Sequence, residues 1–295
     1  MIREIEGSKI RVYRDDLYPF LGGGNKGRKA RFIENAIRES KANAVVTTGG
    51  IQSNHCRAIA VLAAENHWKC TLVLHGDKHQ FEAGNGNARI MRLSGADIVF
   101  VEPDLIAAAM DAAMSDYSKQ GLNPYYIWGG GHALEGGLAY IEAVKELKMY
   151  CDQESWYPEY IFHASGTGST QAGIMAGLDR YGMDAEVVGV SVARSKPRAE
   201  EVVKAFYEEL CGHYQIAKQE RTVTVLDDFL CGGYERYDEA LRQLSVNSIR
   251  DYGFALDTTY SGKAFYGMKE YLKRKSIKGS ILFWHTGGIF NFLSQ

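Results

Sequence analysis

The chain has 295 residues, 45% of them hydrophobic and 24% charged, a balance that suits a folded globular protein and excludes extended disorder. A formal net charge of -2 supplies no field for gathering nucleic acid or an anionic membrane, so any basic cluster acts locally and the expected partner is a small molecule. Five cysteines without CxxC or zinc-ligand spacing, a charged N-terminus (MIREIEGSKIRVYRDD) and no apolar run of spanning length predict a reduced, cytoplasmic setting without a metal or membrane segment.

In chain order, the first feature is LGGGNKGRKARF (21–32). Three glycines run into Asn25 and Lys26, and then Arg28, Lys29 and Arg31 crowd the start of a predicted helix. Cations are disfavoured at the positive end of a helix dipole, so the cluster reads either as a solvated basic face or as a site that meets an anion. Neighbouring cations and the helix start both penalise the Lys26 ammonium. Its pKa is therefore expected to fall, leaving a nucleophilic amine suited to Schiff-base chemistry.

The strand AVVTT (44–48) turns through Gly49 and Gly50 into a predicted helix at 53–66, with Ser53 and Asn54 as candidate caps and first-turn amides open to an anion. TLVLHG (71–76), DIVFVE (97–102) and YYIW (125–128) continue the strands, separated by helical stretches such as 105–120. After a helical pattern at 133–150 come YIFHAS (160–165), VVGVSVAR (187–194) and SILFWHTGG (280–288). This alternation predicts an α/β architecture with mainly parallel sheets, whose ligands bind beyond the carboxyl ends of the strands.

Between YIFHAS and the next helix lie Gly166, Thr167, Gly168, Ser169 and Thr170, bare amides and hydroxyls that suit a phosphate. A dinucleotide fingerprint would need glycine where Gln171 stands, and the lysine of a Walker A loop is missing, so an oxidoreductase reading rests on α/β alternation and glycines alone. His163 and His285 fall in predicted strands and are read as structural. No HExxH motif or carboxylate cluster points to a metal.

A lysine able to form an imine, a Gly/Ser/Thr loop for one phosphate and an Asn beside a Ser together describe a pyridoxal 5'-phosphate site. Five segments in order, GGGNKGRKARF, GGIQSNHCRA, GTGSTQAG, TYSGKAFYGM and FWHTGG, resemble the D-cysteine desulfhydrase and 1-aminocyclopropane-1-carboxylate deaminase family. That family belongs to the tryptophan-synthase-β-like pyridoxal phosphate enzymes, and the resemblance runs from about residue 14 to the C-terminus. It implies two open α/β lobes with mainly parallel twisted sheets and the cofactor in the cleft between them. The large cofactor-binding domain would combine 1–30 and 131–295, the small domain would be 31–130, and the assembly a homodimer.

The same resemblance implies that Lys26 holds the cofactor and that Gly166, Thr167, Gly168, Ser169 and Thr170 hold its phosphate. It places Asn54 on the ring hydroxyl, Ser53, Asn54 and His55 on the substrate carboxylate, and Thr286 opposite the pyridine nitrogen. A hydroxyl there does not keep the nitrogen protonated as a carboxylate would, which favours loss of a β leaving group over racemisation or transamination. Tyr234 and Tyr260 match two active-site tyrosines, and Lys26 or Ser53 would take the α-proton. Arg28, Lys29 and Arg31 are expected to bias the potential toward an anionic cofactor and substrate. Ser261 stands where the ring-opening deaminases carry glutamate. The expectation is a lyase acting on D-cysteine to give pyruvate, ammonia and sulfide. A cyclopropane deaminase-like enzyme, a lyase for another β-substituted amino acid such as cysteate, and a non-catalytic amino-acid-binding paralogue are the alternatives.

Overall fold

The computed structural model describes residues 2–5 and 7–294. The chain opens with β1 (Ile2–Glu4) and β2 (Ile10–Tyr13), then α1 (Gly24–Glu39), β3 (Ala44–Gly50), α2 (Asn54–Glu65) and β4 (Lys69–His75). It continues with α3 (Lys78–Ala83), α4 (Gly86–Leu93), β5 (Asp97–Phe100), α5 (Ile106–Lys119), β6 (Pro124–Tyr126), α6 (Leu134–Glu154) and β7 (Tyr160–Ser165). The remaining elements are α7 (Ser169–Arg180), β8 (Glu186–Ser191), α8 (Lys196–His213), β9 (Thr224–Leu226), α9 (Glu239–Tyr252), α10 (Ser261–Lys275), β10 (Ile281–Trp284) and α11 (Ile289–Phe292).

The strands form two sheets, one of order β5-β4-β3-β6 and one of order β1-β2-β10-β7-β8-β9. Every pairing is parallel except the β1–β2 hairpin. Helices cover both faces, so the central strands are continuous buried runs rather than alternating ones. In the larger sheet Ile161, Val187 and Leu282 face a core built with Tyr140 and Leu210, while Phe162, Val188 and Phe283 face a second core built with Phe254, Phe265 and Met268. The smaller sheet divides in the same way, Val45 and Leu72 on one side and Val46 and Val73 on the other. β1, β2 and β9 lie outside the strands expected from sequence. They are three or four residues long, too short for periodicity to stand out, and become strands through tertiary pairing, as where Val12 of β2 registers with Phe283.

The C-terminal ends of β3, β7 and β10 each run into a glycine-containing turn, and α1 starts beside the last of these. The approach is closer than any side chain allows. A Cβ on Gly24 would stand 2.8 Å from the Thr286 carbonyl oxygen, and one on Gly287 would stand 2.7 Å from the Gly24 Cα. Both glycines also have φ in the left-handed region, +76° and +107°. This contact lets the Asn25 amide donate to the Thr286 carbonyl at 2.9 Å and sets the first turn of α1 against the loop that follows β10. Among the described residues no helix is long and apolar enough to cross a membrane, and no group of His, Cys, Asp and Glu is arranged to hold a metal ion.

Candidate active site

Where these turns meet, a cavity is lined by Asn25, Lys26, Asn54, Gly166, Thr167, Gly168, Thr170, Tyr260 and Thr286, with Ala164, Ser165, Gly287 and Gly288 completing the wall. Lys26 donates from Nζ to the Gly130 carbonyl at 2.7 Å. Burial pulls its pKa down to about 8. The fall agrees with the expectation from sequence, but its cause is desolvation and not the adjacent cations. The field of a neighbouring cation is felt instead by Lys29, whose pKa is held well below the usual lysine range by burial and then by Lys26.

The basic cluster needs correction. Arg28 is buried, donating from Nε to Asp15 at 2.8 Å and from Nη1 to Glu146 at 2.7 Å. Asp15 also accepts from Tyr140 and from the Trp284 indole, so Arg28 belongs to a core network. Arg31 pairs with Glu65 at 2.7 Å and Glu34 at 3.1 Å. Both guanidinium charges are therefore compensated inside the protein. Lys29 alone reaches the phosphate-type loop, its Nζ donating to Ser169 Oγ at 2.7 Å from a fully buried position.

At the end of β7, Gly166, Thr167 and Gly168 lead into α7, whose first-turn amides have no intrahelical acceptors. Asn25 Nδ2 lies 3.4 Å from Thr170 Oγ1, joining α1 to this loop. Gln171, standing where a dinucleotide fingerprint would place glycine, is buried and donates to the Thr224 carbonyl at 2.9 Å. It ties α7 to β9.

The remaining expected residues divide. Asn54, at the start of α2, lines the cavity, as do Tyr260 and Thr286. Tyr234 touches the site through a hydroxyl–hydroxyl hydrogen bond to Tyr260. Burial holds the Tyr234 phenol up at about 12 and the Tyr260 phenol well above its ordinary value, so both stay protonated at neutral pH. Ser53 is the N-cap of α2, its Oγ accepting from the Cys56 amide at 3.1 Å, and is not among the cavity-lining side chains. His55 is also not brought to the cavity. Its ring is buried with Nε2 2.9 Å from Thr47 Oγ1, and because that hydroxyl donates to the Ile127 carbonyl, the histidine must be the donor between them. Burial and then the fields of Lys26 and Lys29 keep it neutral.

His285 is fixed by the Ala255 carbonyl at 2.7 Å and by the Gly287 amide at 3.2 Å, while His163 lies inside β7. Sequence reasoning did not single out Gly130, His132, Asn87 or Asn291. His132 packs at a tilt against Phe206 with ring centroids 4.2 Å apart, and burial, followed by the charges of Lys29 and Arg194, lowers its pKa to about 4. Its signal was available in the run GGGH; Asn87 and Asn291 offered none.

The site fits a phosphorylated aldehyde cofactor on its own chemistry. A partly buried amine without a carboxylate partner stands beside a strand-to-helix turn rich in open amides, and Gly130 keeps the space free. A Cβ there would come within 2.7 Å of Thr167 Cγ2. Comparisons with known proteins agree. The model of the pyridoxal-phosphate dependent enzyme family matches residues 2–287. A D-cysteine desulfhydrase of Salmonella paratyphi A is 31% identical over 297 residues, covering 97% of this chain and 89% of the relative; one from Salmonella newport is 31% identical over 292 residues, covering 96% and 87%. The crystal structure of an ACC deaminase homologue superposes with a TM-score of 0.87 at 28% identity, covering 96% of this chain and 85% of that one. A hydrogen sulfide-producing enzyme from Fusobacterium nucleatum shares the fold, with a TM-score of 0.68 at 16% identity over 97% and 94% of the two chains. This chain belongs to the pyridoxal-phosphate dependent enzyme family, in the group that contains D-cysteine desulfhydrase and the ACC deaminase homologue.

Proposed function

We propose that the chain is a lyase that removes a β leaving group from a small amino acid, with D-cysteine the first candidate and pyruvate, ammonia and sulfide the products. The observation that carries this over ring-opening deamination is the state of Ser261. Its Oγ donates to Asp257 Oδ1 at 2.6 Å, its amide donates to the same oxygen at 2.9 Å, and it is 1% exposed. The side chain that would have to be glutamate in a ring-opening enzyme is thus turned into the core as part of the cap of α10. No acidic side chain lines the cavity among the described residues. The 31% identity to D-cysteine desulfhydrases and the Thr286 hydroxyl at the cavity wall support the same reading.

When bound, pyridoxal phosphate supplies an electrophilic carbon for an amine and a ring that withdraws electrons. The protein's part follows from its own groups. The amides and hydroxyls of residues 166–170 would hold the phosphate, and the start of α2 would receive the substrate carboxylate. Lys26, with a pKa of about 8, is about one-tenth uncharged at neutral pH, far more than an ordinary lysine, and is the base we assign to the substrate Cα proton. Ser53 is the weaker candidate because its hydroxyl already caps α2. The Tyr234–Tyr260 pair, protonated at neutral pH, would give a proton to the departing sulfur. Thr286, which lines the cavity, would stand opposite the ring nitrogen where other enzymes use a carboxylate. The lobe 31–130 and the lobe formed by 1–30 and 131–295 are read as the two bodies that enclose the substrate, and a cytoplasmic homodimer belongs to the same proposal.

The test is the visible absorption spectrum of the purified protein, followed by D-cysteine with sulfide and pyruvate assayed together. A yellow band that shifts and yields both products supports the reading. A shift without sulfide moves the substrate to another β-substituted amino acid. Release of both products at the wild-type rate by Lys26→Ala would refute the role of Lys26.

A further inference from the structure

Asn54, half-buried at the cavity, is joined to two buried amides, Asn87 and Asn291, whose polarity is fixed from outside. Arg57, on the next turn of α2, is 2% exposed, and its Nε donates to Asn87 Oδ1 at 3.1 Å. A guanidinium has donors only, so Asn87 must turn its oxygen toward Arg57 and its nitrogen away. That nitrogen faces the Gln52 carbonyl at 3.1 Å, Asn54 Oδ1 at 3.0 Å and Asn291 Oδ1 at 3.1 Å. The Gln52 carbonyl also accepts from Asn291 Nδ2 at 3.2 Å, which turns the Asn291 oxygen back toward Asn54. Asn54 therefore meets a donor on one side and an acceptor on the other. Its oxygen accepts from Asn87 and its nitrogen donates to Asn291.

Two features make this more than a packing arrangement. Asn87 and Asn291 are 0% and 4% exposed, so a reversed amide would leave like poles facing each other without water to relieve them. Asn54 also lines the cavity, and one hydrogen of its Nδ2 remains after the bond to Asn291. Reversal of Asn54 would present a carbonyl oxygen in place of that N–H. A free asparagine chooses between these faces at little cost; this one cannot.

We propose that Arg57, Asn87 and Asn291 are positioning residues that hold Asn54 with an N–H, and not its carbonyl oxygen, facing the ring oxygen of the bound cofactor. The proposal rests on the reading that Asn54 meets that oxygen, and the variants are chosen to separate the two. Asn54→Ala reports the direct contact. Asn87→Asp keeps an acceptor for Arg57 but removes the N–H groups that hold Asn54. The double variant asks whether the second effect passes through the first.

Each protein is loaded with pyridoxal phosphate. The partition of its absorption between the yellow and near-ultraviolet forms is followed with pH, and cofactor affinity is measured by fluorescence titration. Thermal unfolding of the cofactor-free forms is recorded alongside. Asn54→Ala and Asn87→Asp are both expected to shift the spectrum in the same direction and to weaken cofactor binding roughly tenfold, the scale of one charge-assisted hydrogen bond. The double variant should match Asn54→Ala alone. A wild-type spectrum and affinity in Asn87→Asp, with Asn54→Ala shifted, overturns the positioning role while leaving the ring-oxygen contact intact. No shift in Asn54→Ala removes the contact and the proposal with it. Additive effects in the double variant also overturn it, because a general structural loss would add. If Asn87→Asp does not fold, Asn291→Leu is put through the same cycle, with a smaller shift in the same direction expected and additivity again the refuting result.

Discussion

Replacing Lys26 by methionine in the cofactor-free protein should make it more stable at neutral pH and less stable at high pH. Burial lowers the Lys26 pKa from 10.5 to about 8. At about 1.4 kcal/mol per pH unit, keeping the ammonium in the folded state costs about 3 kcal/mol at pH values below 8. The side chain is partly rather than wholly buried, and methionine also gives up the bond from Nζ to the Gly130 carbonyl, so a net gain of about 2 kcal/mol is expected. The sign follows from proton counts. Between about 8 and 10.5 the unfolded lysine is protonated while the folded one is not, so wild-type stability rises with pH through that window. Methionine has no such dependence. Urea unfolding of both proteins at a series of pH values from 6.5 to beyond 10.5 should show the variant ahead at the acid end, the curves converging and then crossing, with m unchanged. Parallel curves would mean that the amine is not destabilised as an ammonium, and the case for Lys26 as an uncharged base near neutrality would fail with them.

Arg28→Met strands the buried Asp15 carboxylate and should cost about 3–5 kcal/mol in urea unfolding, whereas Arg31→Met, at a more exposed pair, should cost less than about 1 kcal/mol. Neither the folded fraction of Arg28→Met nor Arg31→Met should lose cofactor affinity in a fluorescence titration. Ser261→Glu places a second carboxylate against Asp257, whose pKa burial already raises, so a loss of at least about 2 kcal/mol and no gain of ring-opening activity are expected from unfolding and product assays. Lys263 is buried and donates to the Leu230 and Gly233 carbonyls at 2.9 and 2.8 Å, pinning the loop that carries Tyr234. Lys263→Met should raise KM several-fold while cofactor affinity stays at the wild-type value, and equal losses in both would show a general defect instead.

The parts of this site visible in the sequence are those that recur locally. Strand-to-helix turns after β3 and β7 stand out because glycine, serine and threonine interrupt apolar runs, and the lysine after three glycines draws attention to α1. What was hidden depends on residues distant in the chain. Of the two carboxylates that Arg28 meets, Glu146 is 118 positions away, and nothing near Arg28 announces it. Asn87 and Asn291 are unremarkable asparagines until α4 and α11 bring them to Asn54. The direction taken by the His55 ring was hidden for a related reason. A residue beside a cap shares its backbone with the helix start, but its side chain follows the helix and here goes under β3 to Thr47.

The basic opening of α1 shows how much a simple periodicity could have recovered. At about 100° per residue, Lys29 lies only about 60° around the helix from Lys26, whereas Arg28 and Arg31 lie on the far side, at about 160° and 140° from it. The four cations therefore cannot act on one anion. The observed partners follow this division: Lys26 and Lys29 reach Gly130 and Ser169 at the cavity, while Arg28 reaches Asp15 and Glu146 and Arg31 reaches Glu65. A helix start is a poor place for four positive charges, and two of them are tolerated because carboxylates from elsewhere in the chain neutralise them. The other two are left as amines whose charged forms burial opposes, which suits one of them to covalent chemistry and leaves the other beside the loop proposed to hold a phosphate.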